Sequence, residues 1–96
     1  MSEPEMKIDA DGAKYWLLNG RYHREDGPAV VLPSGYEEWY LNGRFHREDG
    51  PAAYHPNGTK YWFLNGNRVS WQQVFKKAKT EEIELRILSY VDDLLT

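Results

Sequence analysis

The sequence contains no cysteine, so neither a disulfide bond nor a thiolate metal site can hold this chain together. It also lacks a long hydrophobic run near its start, since residues 1–7 are polar and carry two glutamates. The sequence therefore predicts neither a signal peptide nor a membrane-spanning segment. We expect a soluble, cytoplasmic chain that has no membrane partner.

Net charge is also small, because 12 basic and 15 acidic residues leave −3. This charge is too low for a nucleic-acid mimic and has the wrong sign for a general phosphate binder. Nucleic acid is therefore not the expected partner. A chain of 96 residues is expected to form one domain with a modest core.

Aromatic residues, by contrast, are abundant. Four Trp, seven Tyr and three Phe make up 15% of the sequence, which is more than a core of this size needs. We expect some of these rings to lie on a face that a partner covers.

A 23-residue periodicity runs through residues 12–69. The same spacing relates four sets of residues: Trp16, Trp39 and Trp62; Gly12, Gly35 and Gly58; Asn19, Asn42 and Asn65; and Gly20, Gly43 and Gly66. Units one and two, residues 12–34 and 35–57, share Asn-Gly-Arg, an aromatic residue and the string His-Arg-Glu-Asp-Gly-Pro-Ala. The third unit begins at residue 58 and is truncated. The chain is therefore built from internal repeats.

Each unit is predicted to form two main β-strands. The first strand is short, rich in aromatic residues and followed by an Asn-Gly turn signal, and it covers residues 14–18, 37–41 and 60–64. The second is an apolar run between Gly-Pro and Pro-x-Gly, residues 29–32 and 52–55. An antiparallel meander follows from this order, with residues 21–26 as a connection or a short extra strand.

Residues 70–96 are predicted to form two amphipathic helices that cap the sheet. Ser70 is a favourable N-cap, and Gln73 completes a capping box with it. Apolar residues then follow at helical spacing, namely Trp71, Val74, Phe75 and Ala78. Thr80 is predicted to cap the second helix, whose apolar stripe contains Ile83, Ile87, Leu88, Tyr90, Val91, Leu94 and Leu95. We expect a single domain with a loosely held tail over residues 1–9, the sheet over 10–69 and the helices over 70–96.

The repeated string places His23 and His46 beside acidic residues, a combination that serves acid–base chemistry or metal binding elsewhere. A catalytic constellation is usually assembled once, from different parts of a fold, whereas this string recurs as a structural element does. His55 falls elsewhere in its unit, so it is a poor third metal ligand. We therefore predict no catalytic residue, metal site or cofactor. A small hydrolase or nuclease that uses the two histidines remains the alternative.

Alternation along the strands predicts that neighbouring rings point to opposite faces of the sheet. If the tryptophans face the helices, the rings beside them lie on the other face. Glu38 takes the place of Tyr15 in unit two, which indicates that this second face is at least partly exposed. Exposed aromatic rings with arginines nearby are typical of protein-binding surfaces. The predicted binding residues are Tyr15, Tyr40, Tyr61, Phe63, Arg21 and Arg44.

The pattern Trp-x-x-Asn-Gly-x-x-His, followed by Gly-Pro-Ala, resembles a MORN-type repeat. More narrowly, it is similar to the Asn-Gly-x-x-His-Arg-Glu-Asp-Gly-Pro-Ala repeats in proteins of large bacteriophages and giant viruses. The resemblance covers residues 12 to about 69, and it departs from the usual MORN unit where Arg24 and Arg47 replace a glycine after the histidine. The fold class expected is α+β, an antiparallel meander sheet of 23-residue MORN-like repeats capped by two C-terminal amphipathic helices.

The resemblance also implies an interaction role and no catalytic residues. If it extends to origin, the chain is a phage protein that binds or inhibits a host factor such as a defence enzyme in the host cytoplasm. A self-associating structural protein is a further alternative, because open sheet edges invite homodimers.

Overall fold

The computed structural model describes residues 3–91, which form an antiparallel sheet and two helices. The strands are β1 (Glu5–Ile8), β2 (Lys14–Leu18), β3 (Arg21–Tyr22), β4 (Val30–Val31), β5 (Glu37–Glu38), β6 (Tyr40–Leu41), β7 (Arg44–Phe45), β8 (Ala53–Tyr54), β9 (Lys60–Leu64) and β10 (Asn67–Val69). The helices are α1 (Trp71–Lys76) and α2 (Glu81–Leu88). The main sheet has the order β1-β2-β4-β5-β8-β9-β10, with β3 paired to β2, and β6 pairs with β7. The predicted α+β class, with an antiparallel meander and two helices near the C-terminus, is confirmed.

The turns that follow β2, β6 and β9 have the geometry that Asn-Gly predicts. Asn19 has a φ of 53° and Gly20 a φ of 77°, and the equivalent pairs in the other units have nearly the same values. Two consecutive positive φ angles define a type I′ turn, whose twist matches that of the strands it joins. The residues of each turn therefore determine where the hairpin reverses.

Two parts of the sheet differ from the sequence prediction. Residues 1–9 are predicted to be a tail, but Glu5–Ile8 forms β1 and pairs antiparallel with β2. The tail prediction is therefore wrong for these residues. They form a strand because β1 hydrogen-bonds an edge of β2 that would otherwise be unpaired. The strand predicted over residues 37–41 is divided at Trp39, because β5 pairs with β4 and β8 whereas β6 pairs with β7.

The register of the sheet fixes which side chains share a face. One cross-strand row consists of Tyr15, Val30, Glu38, Ala53 and Tyr61. Because successive side chains point to opposite faces, the tryptophans beside this row, Trp16, Trp39 and Trp62, project from the other face. The helices pack on the tryptophan face at unit three, where the core cluster consists of Trp62, Leu64, Val74, Ile87 and Val91.

Both helices begin where the sequence predicts. Ser70 and Gln73 form the reciprocal capping box, and the Thr80 hydroxyl accepts a hydrogen bond from the Ile83 amide at 3.2 Å. The second helix ends at Leu88, earlier than its predicted stripe, although Val91 still packs into the core. Two residues of that stripe, Leu94 and Leu95, lie outside the residues that the structure describes. Within residues 3–91, neither helix has the length and apolar character needed to cross a lipid bilayer.

Candidate functional site

The arginine of the repeated string binds within its own unit. The guanidinium carbon of Arg47 lies 3.8 Å from the ring centroid of Trp39. Its Nε donates to the Asp49 carboxylate at 2.8 Å, and its Nη1 donates to the Pro51 carbonyl at 3.1 Å. The same contacts in unit one join Arg24 to Trp16, Asp26 and Pro28. In each unit the arginine therefore binds the aspartate and the proline carbonyl while it covers the tryptophan ring, and we call this group of four residues the clasp.

The glycine of the string is required by this clasp and not by its backbone conformation. A Cβ on Gly50 would lie 2.6 Å from the guanidinium carbon of Arg47, and one on Gly27 would lie 2.7 Å from that of Arg24. Both distances are shorter than any normal van der Waals contact. A side chain at either position would displace the guanidinium from this place.

Each histidine of the string hydrogen-bonds to the turn of the following unit. Nδ1 of His23 accepts from the Asn42 amide at 2.9 Å, and Nδ1 of His46 accepts from the Asn65 amide at the same distance. An accepting ring nitrogen carries no proton, so the ring proton of each histidine lies on Nε2. In His46 this second nitrogen lies 2.8 Å from the Glu48 carboxylate. These contacts give the histidines a role in joining units, and they leave no free Nδ1 to act as a base.

We expect the double variant His23→Ala/His46→Ala to lower the free energy of unfolding by about 1–3 kcal/mol, because two turn amides lose their acceptors. Urea unfolding followed by tryptophan fluorescence measures this change. The matched control is Glu25→Gln, which alters an exposed carboxylate of the string and should change stability by less than about 0.5 kcal/mol. A nuclease or phosphatase activity that disappears in the double variant would instead support the enzymatic alternative.

No group of three or more His, Cys, Asp or Glu side chains in the described part of the chain is arranged to hold a metal ion. His23 and His46 occupy equivalent positions in successive units, and each faces the turn beyond it. The structure thus brings neither histidine into a shared ligand set.

The face opposite the tryptophans carries a row of five aromatic rings, which we call the aromatic strip. Its members, in order across the sheet, are Tyr15, Tyr22, Tyr40, Phe45 and Phe63. Successive ring centroids are 6.0, 5.2, 4.5 and 4.7 Å apart. All five side chains are half-buried, and none belongs to the core that the helices form. The sheet alone therefore holds these rings in place.

Tyr61 is the one ring of the four predicted from the sequence that is not a member of the strip, and it lies in a second group beside it. Its ring packs edge-on against His55 at 5.8 Å, and His55 in turn lies 4.5 Å from Tyr36. The guanidinium of Arg68 sits 4.7 Å from the centroid of Tyr61. This group extends the aromatic surface along the last strands.

The two predicted arginines directly follow the Asn-Gly turns. Arg21 and Arg44 are exposed, and their aliphatic carbons lie close beneath the turn glycines of the following units, Gly43 and Gly66. Arg21 also lines a shallow depression of about 570 Å³ at the strip's first rings. Arg21 therefore lies beside the first rings of the strip, whereas the register pairs Arg44 with Leu41, on the side of Trp39.

The centre of this face holds a carboxylate. Glu38 is half-buried and accepts hydrogen bonds from the hydroxyls of Tyr36 and Tyr40, the latter at 3.2 Å. Burial and the adjacent carboxylate raise the pKa of both tyrosine hydroxyls well above their ordinary value. The phenols therefore stay protonated and donate to the carboxylate at the centre of this face.

Two rings of the strip, Tyr22 and Phe45, are absent from the set predicted from the sequence. The signal was present, because both units place an aromatic residue directly before the histidine of the string. The pairing of Leu17 with Tyr22 and of Tyr40 with Phe45 brings each one onto the strip.

The chain matches no protein-family model, and no curated protein or solved structure matches it significantly.

Proposed function

We propose that the chain is a small, non-enzymatic protein-interaction module that binds a partner protein through the aromatic strip, Tyr61, Arg21 and Arg44. The observation that carries this proposal is the row of five rings in contact on a face that the helices leave uncovered. A contiguous row of rings that the rest of the fold leaves uncovered is typical of an interaction site.

The composition of this face suits a protein partner. Aromatic residues and arginine are enriched at the centres of protein interfaces. Tyrosine has few rotatable bonds, so a ring already held by its neighbours loses little conformational entropy on binding. The arginines at the turn end favour a partner whose apolar contact surface is flanked there by acidic groups.

The periodic contacts support the further proposal that the sheet is an array of MORN-like units. The amides of Trp16 and Trp39 donate to Ala29 and Ala52, 13 residues further on in each case, at 2.8 and 2.7 Å. If the chain shares the phage origin of the proteins it resembles, its partner is a host protein in the host cytoplasm. A defence enzyme that the binding inhibits would be one such partner.

A capture experiment tests the binding face. The immobilised full chain is exposed to a lysate of the host cell, alongside the variants Arg21→Glu/Arg44→Glu and Leu85→Glu. Leu85 is 60% exposed on α2, away from the strip, so its variant is the matched control. We expect the wild type and the control to bind the same protein equally, and the double variant to bind it at least about 10-fold more weakly because like charges then meet. Equal binding by all three chains would contradict the assigned face.

A further inference from the structure

The clasp of unit two binds two side chains from α2 and the turn that follows it. Nη1 of Arg86 lies 2.6 Å from the Asp49 carboxylate, and the Tyr90 hydroxyl accepts from Nη2 of Arg47 at 3.2 Å. Arg86 and Tyr90 are four residues apart, so they project from the same side of the helix and the turn that follows it. Burial alone would raise the pKa of the Asp49 carboxyl, but hydrogen bonds from the two arginines hold it below its ordinary value.

Unit one carries the same clasp without an occupant among residues 3–91. The side chains of Arg24 and Asp26 are 25% and 89% exposed, against 7% and 24% for Arg47 and Asp49. Arg24 uses its Nε and Nη1 within the clasp, and its Nη2 has no acceptor in the described chain. The donor that binds Tyr90 in unit two is therefore available in unit one.

A groove of about 600 Å³ lies between this open clasp and α2. Four of the residues that line it are the 23-residue equivalents of residues against which α2 packs. The pairs are Arg24 and Arg47, Asp26 and Asp49, Trp39 and Trp62, and Leu41 and Leu64. The groove thus repeats part of the surface on which α2 packs, with the difference that Arg47 covers the ring of Trp39.

The spacing of the units suits a second helix in this groove. One strand, β4, separates β2 from β5, so equivalent points of units one and two lie about 10 Å apart. Packed helices lie about 8–10 Å apart, so a helix on unit one would contact α2 directly. Ile83 and Arg86 of α2 form the wall that it would meet.

The charge of the outer wall of the groove indicates which side chains it would bind. An exposed pair of carboxylates, Glu25 and Asp26, lines the outer wall. The chemistry of the groove therefore favours a basic side chain over an acidic one.

We propose that this groove binds an amphipathic helix of a partner protein that presents an arginine and a tyrosine four residues apart. The arginine pairs with Asp26, the tyrosine hydroxyl accepts from Arg24, and the apolar side of the helix packs on Leu41 and Ile83, beside Trp39. The occupant is not α2 of a second copy, because Arg86 and Tyr90 of that copy bind their own unit two. This inference does not rest on the aromatic strip, which lies on the opposite face.

The probe for this site is a synthetic peptide with the sequence of residues 79–91, constrained as a helix by a staple that joins positions 81 and 85. Both positions are exposed on α2, so the staple lies away from the contact side. The peptide is titrated into the full, isotope-labelled chain, and NMR follows the indole N–H of each tryptophan and the methyl groups of Leu41 and Leu64.

We expect saturable shifts at Trp39 and Leu41 while Trp62 and Leu64 stay unchanged. Asp26→Asn should weaken the peptide by about 10-fold, because its arginine loses a charged partner. The matched exposed variant Asp11→Asn should leave binding unchanged, and a peptide with both the arginine and the tyrosine replaced by alanine should not bind.

Three results would overturn the assignment. Shifts confined to Trp62 and Leu64 would mean that the peptide only displaces α2. Shifts at Trp39 that appear on raising the concentration of the chain alone would assign the groove to a second copy. A lack of any shift at about 1 mM peptide would show that the groove binds no such helix. None of these results bears on capture by the aromatic strip.

Discussion

A chain that ends at Val69 should aggregate or remain unfolded, because the helices supply much of the principal core. Trp62 and Leu64 are the members of the core cluster from the sheet, and Val74, Ile87 and Val91 complete it from the helical region. Burial of a large apolar side chain contributes about 1.5–3 kcal/mol, so these three together approach the net stability of a small domain. Removing them leaves the two sheet residues facing water.

Circular dichroism, size-exclusion chromatography and thermal melting measure this outcome. Val74→Asp provides a point change that should reproduce it, since Val74 is fully buried, whereas Leu85→Asp on the exposed side of α2 should fold normally. A truncated chain that stays monomeric, with intact β-type circular dichroism and cooperative melting, would show that the helices do not complete the core. The helices would then become the better candidate for the partner-binding element.

Arg47→Ala should lower the free energy of unfolding by about 3 kcal/mol, because it removes the buried partner of Asp49 and leaves other polar groups unpaired. Arg47 covers Trp39 and hydrogen-bonds to Asp49, Pro51 and Tyr90. The matched variant Arg24→Ala makes the same chemical change where the clasp is open. We expect it to cost about 1 kcal/mol, since solvent screens its contacts. Urea unfolding at fixed pH compares the two variants.

The pH dependence of stability provides a control for the comparison of Arg47→Ala with Arg24→Ala. Folding lowers the pKa of Asp49, so its contribution to stability is fully present at a pH above its unfolded pKa. This contribution to stability is lost as the pH falls through its folded pKa. The wild type should therefore lose more stability than Arg47→Ala on acidification below about pH 4. Equal losses from Arg47→Ala and Arg24→Ala at neutral pH would contradict the special role of the occupied clasp.

The features that the sequence predicted are those decided by neighbouring residues. Asn-Gly produces a type I′ turn because both residues tolerate positive φ, and Ser70 and Thr80 cap helices through amides three residues away. Alternation along a strand likewise separates Trp16 from Tyr15 before any pairing is known. The antiparallel meander and the helical pair follow from such local signals.

The features that the sequence did not predict depend on contacts between distant residues. The strand over Glu5–Ile8 has no strong local signal of its own, and it forms because β2 offers an unpaired edge. The histidines bind amides 19 residues away, a distance that no short-range pattern encodes. The groove beside α2 likewise forms only when the helix packs on unit three.

Hydroxyl-radical footprinting of the chain, free and bound to its captured partner, tests the proposed binding face most directly. The method measures how exposed each side chain is, and aromatic rings are among the side chains that react readily. We predict that the partner protects Tyr15, Tyr40, Tyr61 and Phe63, while the exposed Leu85 on α2 keeps its reactivity. Protection of Leu85 with unchanged reactivity of the four rings would contradict the proposal and place the interaction on the helices.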